Sequence, residues 1–149
     1  MVSVFDVANY FLTIVNNNND YGDVISNLKL QKLCYYAQGL YLAINNKPLF
    51  KNKIEAWQHG PVIPDLYHKY KDCENCLTLD DGVSLDALSK EIRDFLDRVY
   101  AVYGQFSAWK LREMTHNEEP WKSVYNPEKK HIIITPDSMK KFFKSIISE

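Results

Sequence analysis

At 149 residues, 46% hydrophobic and 13% aromatic, with a formal net charge of −1, the chain can bury one sizeable core and is too apolar for a disordered segment or a nucleic-acid-binding tail. No apolar run approaches the roughly 20 residues of a membrane span, and the opening MVSVFDV carries neither a basic n-region nor a small-residue cleavage site, so a cytoplasmic protein is expected. Three cysteines, an odd number, fit a reducing compartment better than a disulfide framework.

Ser3 and Asp6 have the spacing of a capping box, and Val4, Val7, Ala8, Phe11 and Ile14 follow at helical period to about Val15. The Asn-rich run from Asn16 to Gly22 predicts a polar loop. A second helix starts near Ser26 or Asn27, either of which can cap it, and Leu30, Leu33, Cys34, Ala37, Leu40, Tyr41 and Ile44 hold one face for four turns. Tyr35, Tyr36 and Leu42 add apolar surface off that stripe, which predicts a central helix. Leu49 to Gln58 alternates in part and suits one short strand or an extended arm. Pro61 is expected just inside the next helix, which runs through Leu66, Tyr67 and Tyr70, so that "EAWQHGPVIPDLY" reads as an arm-to-helix corner.

Further along, Ser84 is expected to cap a helix whose stripe is Leu85, Leu88, Ile92, Phe95, Val99 and Val102, ending at Gly104. Ser107 caps another, which reaches Thr115 or His116, and Pro120 interrupts the chain before a loop anchored by Trp121 and Tyr125. "HIIIT" is short and β-branched enough for a strand, and Pro136 opens a last helix with Met139, Phe142, Phe143, Ile146 and Ile147 inside. The expected fold is mainly α, in the α+β class. It is one domain over residues 1–149, a compact bundle of about six helices with one or two short strands. Ile54 to Trp57 either pairs with Ile132 to Ile134 or folds into a small hairpin.

The charges are unevenly spread: residues 72 to 97 hold eight acids against two bases, and residues 121 to 149 hold six lysines against three acids. An acidic middle can receive a basic partner, although solvated helix faces give the same pattern. The basic excess is too diffuse for a DNA-binding footprint, so no direct nucleic-acid binding is expected. Cys73 and Cys76 form a CxxC, half of a zinc site, but no second CxxC or HxxxH completes it. With no G-x-S-x-G elbow, phosphate loop or GxGxxG, the chain offers no recognised nucleophile or nucleotide cradle, and neither a metal nor a cofactor is expected. His59 and His116, each beside an aromatic-proline corner, remain as candidates for an acid/base or metal pair, or as turn residues that satisfy backbone groups.

The run from Ile25 to Lys71, with "LKLQKLCYYAQG", "KPLF" and "IEAWQHGPVIPDLY", together with "LREMTHNEEPW" from Leu111 to Trp121, strongly resembles the Panacea antitoxin domain, the SocA-like family that includes phage-associated GepA-type proteins. The resemblance implies an antitoxin without enzymatic activity that neutralises a cognate protein toxin, encoded beside it, by direct binding. It also implies an alternative, an adaptor or prophage regulator that delivers its partner to a AAA+ protease. The residues by themselves keep a His-based hydrolase open. The family domain begins almost at Met1, so a fused DNA-binding module is not expected.

Trp57, His59, Gly60, Pro61 and Pro64 are expected to define the fold at the corner, with His59 fastening it by hydrogen bonding, and the resemblance implies that Thr115, His116 and Trp121 of the second motif are fold-defining too. Tyr35, Tyr36, Tyr41, Tyr67, Trp109 and Trp121 are the candidates for partner contact, because aromatic side chains give large contact area at low entropic cost.

Overall fold

The computed structural model describes residues 1–17, 26–71 and 87–147, with side chains described only to residue 15 in the first stretch. Ser3 opens helix α1 (Val4–Asn17) by accepting the Phe5 N–H at 3.1 Å. The helix runs two residues into the predicted polar loop, and the rest of that loop lies outside the described residues.

Helix α2 (Asn27–Asn45) is the axis of the molecule. Ser26 caps it by accepting the Lys29 N–H, and Asn46, in the left-handed region, closes it by donating its N–H to the Leu42 carbonyl. It is buried on more than one side, and among its buried residues are Gln31, Lys32 and Gln38. Helix α7 (Pro136–Ile147) lies against it so closely that a Cβ at Gly39 would overlap the Phe143 ring. Glycine mid-helix ordinarily costs stability, and here the close approach is what it provides.

The chain leaving α2 is held by side chains before it is held by a sheet. Gln38 donates to the Phe50 carbonyl at 2.7 Å and accepts the Leu49 N–H at 2.8 Å. Gln31 accepts the Ile63 N–H at 2.8 Å, and Lys32 donates to the Pro61 carbonyl at 2.9 Å. Buried backbone groups need partners, and α2 supplies them from its own polar residues.

Between these anchors, β1 (Ile54–Trp57) and β2 (Gly60–Val62) form a tight antiparallel hairpin with Trp57 opposite Gly60. β3 (Ile133–Ile134) adds antiparallel to the other side of β1, giving the order β2-β1-β3. Both anticipated pairings therefore occur together.

Pro61 corrects the sequence reading: it lies in β2, opposite Ala56, and helix α3 (Pro64–Tyr70) begins instead with Pro64 at its first position. An edge strand tolerates the missing N–H as readily as a first helical turn does. Helix α4 (Lys90–Tyr103) is capped by Ser89, whose hydroxyl accepts the Ile92 N–H, and the expected cap Ser84 lies outside the described residues. Helix α5 (Ala108–His116) starts at Ser107 as anticipated. Pro120 does not break the chain. It sits in the first turn of a short helix α6 (Glu119–Lys122), which makes seven helices among the described residues where six were expected.

The core joins Phe11 of α1, Leu33 and Tyr36 of α2, Leu66 of α3, Leu96 and Val99 of α4, Leu111 of α5 and Phe143 of α7. Among the described residues, no helix is long and apolar enough to cross a membrane. Cys34 is buried in this core, and burial pushes its thiol well above the ordinary value. Cys73 and Cys76 lie outside the described residues.

Candidate functional site

The two sequence motifs, some fifty residues apart, meet over Lys32. From one side comes the hairpin turn with Gly60, whose φ of +111° suits only glycine. A Cβ there would stand 2.7 Å from the Lys32 side chain and 2.8 Å from the Thr115 hydroxyl. Thr115 in turn donates to the Arg112 carbonyl at 2.8 Å, within its own helix α5. Trp121 of α6 donates its indole N–H to the Trp57 carbonyl at 2.7 Å, tying α6 to β1.

His116 stacks flat on Trp121, with ring centres 3.9 Å apart and planes 3° from parallel, and Trp121 stacks on Tyr125 at 4.6 Å. His59, in the turn itself, accepts the Arg112 Nε–H on Nδ1 at 3.1 Å. The corner is thus fastened through His59 to Arg112, while Trp57 packs edge-on against Tyr67. Glu55, buried behind the turn, accepts the Trp57 indole N–H at 2.9 Å and pairs with Lys53 and His131. Burial alone would raise its carboxyl, but these hydrogen bonds outweigh burial and hold it below the ordinary value.

The electrostatics are one-sided. Lys32 is fully buried with a carbonyl as its partner, and burial, with the Arg112 charge, lowers its amine to about 7. His116 is pushed below its ordinary value by burial and then by the Arg112 and Lys32 charges. Neither Lys32 nor Arg112 pairs with any described carboxylate. Nearby in sequence, Glu118 accepts from the Tyr36 hydroxyl at 3.0 and 3.1 Å, and burial raises its carboxyl to about 7 against that hydrogen bond.

Of the residues expected to define the fold, Trp57, His59 and Gly60 of the corner and Thr115, His116 and Trp121 of the second motif gather in this cluster. Pro61 contributes its carbonyl to Lys32, and Pro64 opens α3 beside it. His59 and His116 are brought to the same cluster, each engaged elsewhere: one on a guanidinium, the other on an indole. Among the described residues no group of three His, Cys, Asp or Glu side chains could hold a metal.

The aromatic candidates for partner contact separate by burial. Tyr35 and Tyr36 have no exposed surface: Tyr36 stacks on Tyr103 at 4.0 Å, and both lie edge-on to Phe143, so they offer nothing to a partner in this state. Trp121 is 9% exposed. Tyr41 is half-buried against Phe95, and Tyr67 is half-buried against Trp57. Trp109 is 59% exposed and carries the Arg112 guanidinium 4.4 Å above its ring.

Lys32 and Arg112 were not singled out from sequence. Lysines in helices are read as solvated, but Lys32 lies between Leu30 and Leu33 and one turn before Tyr36 on a helix apolar on more than one side, a placement that leaves little water around it. Arg112 has no such signal.

Residues 30–122 match the family model described as "Antitoxin SocA-like, Panacea domain". A protein of Caulobacter vibrioides (strain NA1000 / CB15N) described as "Antitoxin SocA" is 32% identical over 114 residues, which cover 68% of this chain and 61% of that protein. The chain therefore spans less than two-thirds of the length of that relative. No solved structure matches.

Proposed function

Because the chain belongs to the SocA-like antitoxin family defined by the Panacea domain, we propose that it neutralises a cognate protein toxin by binding it directly and stoichiometrically, without turnover. The observation that carries this reading is the family match over residues 30–122, which takes in both motifs and the cluster they build. On this reading the motif residues set the shape of the corner. The ridge of exposed Trp109 and His59 with half-buried Arg112 beside it meets the toxin, with the part-buried Tyr67 and Tyr41 as further contact candidates. Tryptophan and arginine are the side chains that dominate protein interfaces energetically.

The test is to recover the tagged chain from its native host, read the eluate by native mass spectrometry, and express each co-purifying protein alone and with this chain. A small protein that arrests growth by itself, is relieved by co-expression and is bound one to one establishes the function. If no bound protein arrests growth, the antitoxin reading fails. Delivery to a AAA+ protease differs in one respect: the partner's half-life shortens in a protease-dependent way when this chain is present.

A further inference from the structure

Over the last turns of α5 lies a cleft of about 370 Å³ lined by Lys110, Arg112, Glu113, Met114, His116 and Asn117. Neither Lys110 nor Arg112 is within ion-pair distance of a described carboxylate. Arg112 is nonetheless fixed in place: its Nε is spent on His59, and its plane lies over Trp109. Its two terminal Nη groups make no hydrogen bond among the described residues. A guanidinium oriented on two sides with its fork unfilled is preorganised for a planar, two-oxygen anion.

The cleft also selects by charge. It overlies the C-terminal end of α5, where the helix dipole carries partial negative charge, and Glu113 is in its wall. One incoming negative charge is balanced by the arginine, and a second meets repulsion. Exposed Trp109 at its edge supplies the apolar anchor that a protein surface uses and a small free anion does not.

We propose that this cleft seats an aspartate or glutamate side chain of the protein partner, its carboxylate held by the Arg112 fork with Lys110 adding charge. The identification of the occupant as part of a protein rests on the antitoxin reading. Seating a carboxylate also relieves the mutual repulsion of Arg112, Lys32 from α2 and His116, with His59 facing from the hairpin turn and Glu113 opposing from α5 itself. Binding therefore takes up protons near neutral pH.

The experiment is an NMR titration of the isotope-labelled full chain with three probes: the peptide acetyl-Gly-Glu-Asp-Glu-Gly-amide, its Gln/Asn/Gln counterpart, and inorganic phosphate, all at constant ionic strength. The acidic peptide is expected to shift the Arg112 Nε–H and His116 ring signals saturably and to raise the pH midpoint of His116. Arg112→Gln weakens it at least fivefold, Lys110→Gln about twofold, and Lys51→Gln leaves it unchanged. A response to the neutral peptide of equal size, equal affinity in folded Arg112→Gln, or tighter binding of phosphate overturns the proposal. Toxin neutralisation undiminished by Arg112→Glu removes the cleft but leaves the antitoxin reading standing. Peptide binding by a chain that neutralises no neighbouring gene product keeps the cleft and removes that reading.

Discussion

Lys32 has no exposed surface and no carboxylate partner, so its charge is carried at a cost. Its amine titrates near 7 in the folded chain and at the ordinary 10.5 when unfolded. Between those values the unfolded chain holds a proton that the native chain has released, so stability rises with pH. The slope approaches about 1.4 kcal/mol per pH unit. Glu118 and the unfolded-state cysteines titrate in the opposite sense near this range, so the Lys32 contribution is read as the difference between urea titrations of the parent and of a chain without this amine, from pH 7 to 8.5. Lys32→Met, similar in volume and uncharged, is that chain, and its stability should rise less steeply. Gly60 presents the converse case, a residue fixed by backbone and space together. Gly60→Ala must strain a φ of +111° and push against Lys32 and Thr115. A loss of roughly 1–3 kcal/mol is expected in the same titration.

Helices α1, α2 and α7 are legible in the sequence because their apolar period and their opening residues agree, and α5 by its cap, although Ile44 of α2 and Ile146 and Ile147 of α7, expected on the buried faces, are exposed. Ser26 and Ser107 both cap as their positions predict, and Pro136 opens α7. The corner is legible only as a corner. Pro61 suits a first helical turn and an edge strand equally, and the choice between them is made by Lys32, twenty-nine residues away, which takes the Pro61 carbonyl. Local pattern cannot encode a partner at that separation. The contact of α2 with α7 was hidden for the same reason, since Gly39 looks unremarkable until Phe143 is seen lying on it. Gly39→Ala should destabilise by roughly 1–3 kcal/mol through overpacking. Phe143→Leu, costly alone, should cost less in the Gly39→Ala background, and a double-mutant cycle of denaturation midpoints measures that coupling.

Across the whole molecule, the aromatic residues divide into those that hold the fold and those available to a partner, a division that composition could not make. Trp109→Ala should leave the melting temperature within about 2 °C of the parent, as surface changes usually do, while weakening the toxin complex by about 2 kcal/mol or more. Tyr36→Phe removes the hydroxyl from Glu118 in a buried setting. It should lower stability by about 1–2 kcal/mol and leave toxin affinity unchanged. Calorimetry of each variant, free and in complex, separates the two classes. If the effects are exchanged, the ridge of Trp109 and Arg112 is not the contact surface.

The arm from Leu49 to Ile63 takes its shape from Gln31, Lys32 and Gln38, three side chains of one helix. A segment moulded on a template depends on that template for its stability, so the arm is expected to open at a lower cost than α2. The Leu49 and Ile63 amides, bonded to glutamine side chains rather than to a long ladder, should exchange with solvent together and sooner than the amides of α2. The hairpin that brings the two motifs into register would then be the part of this protein that can release and re-form while the helical frame stays closed.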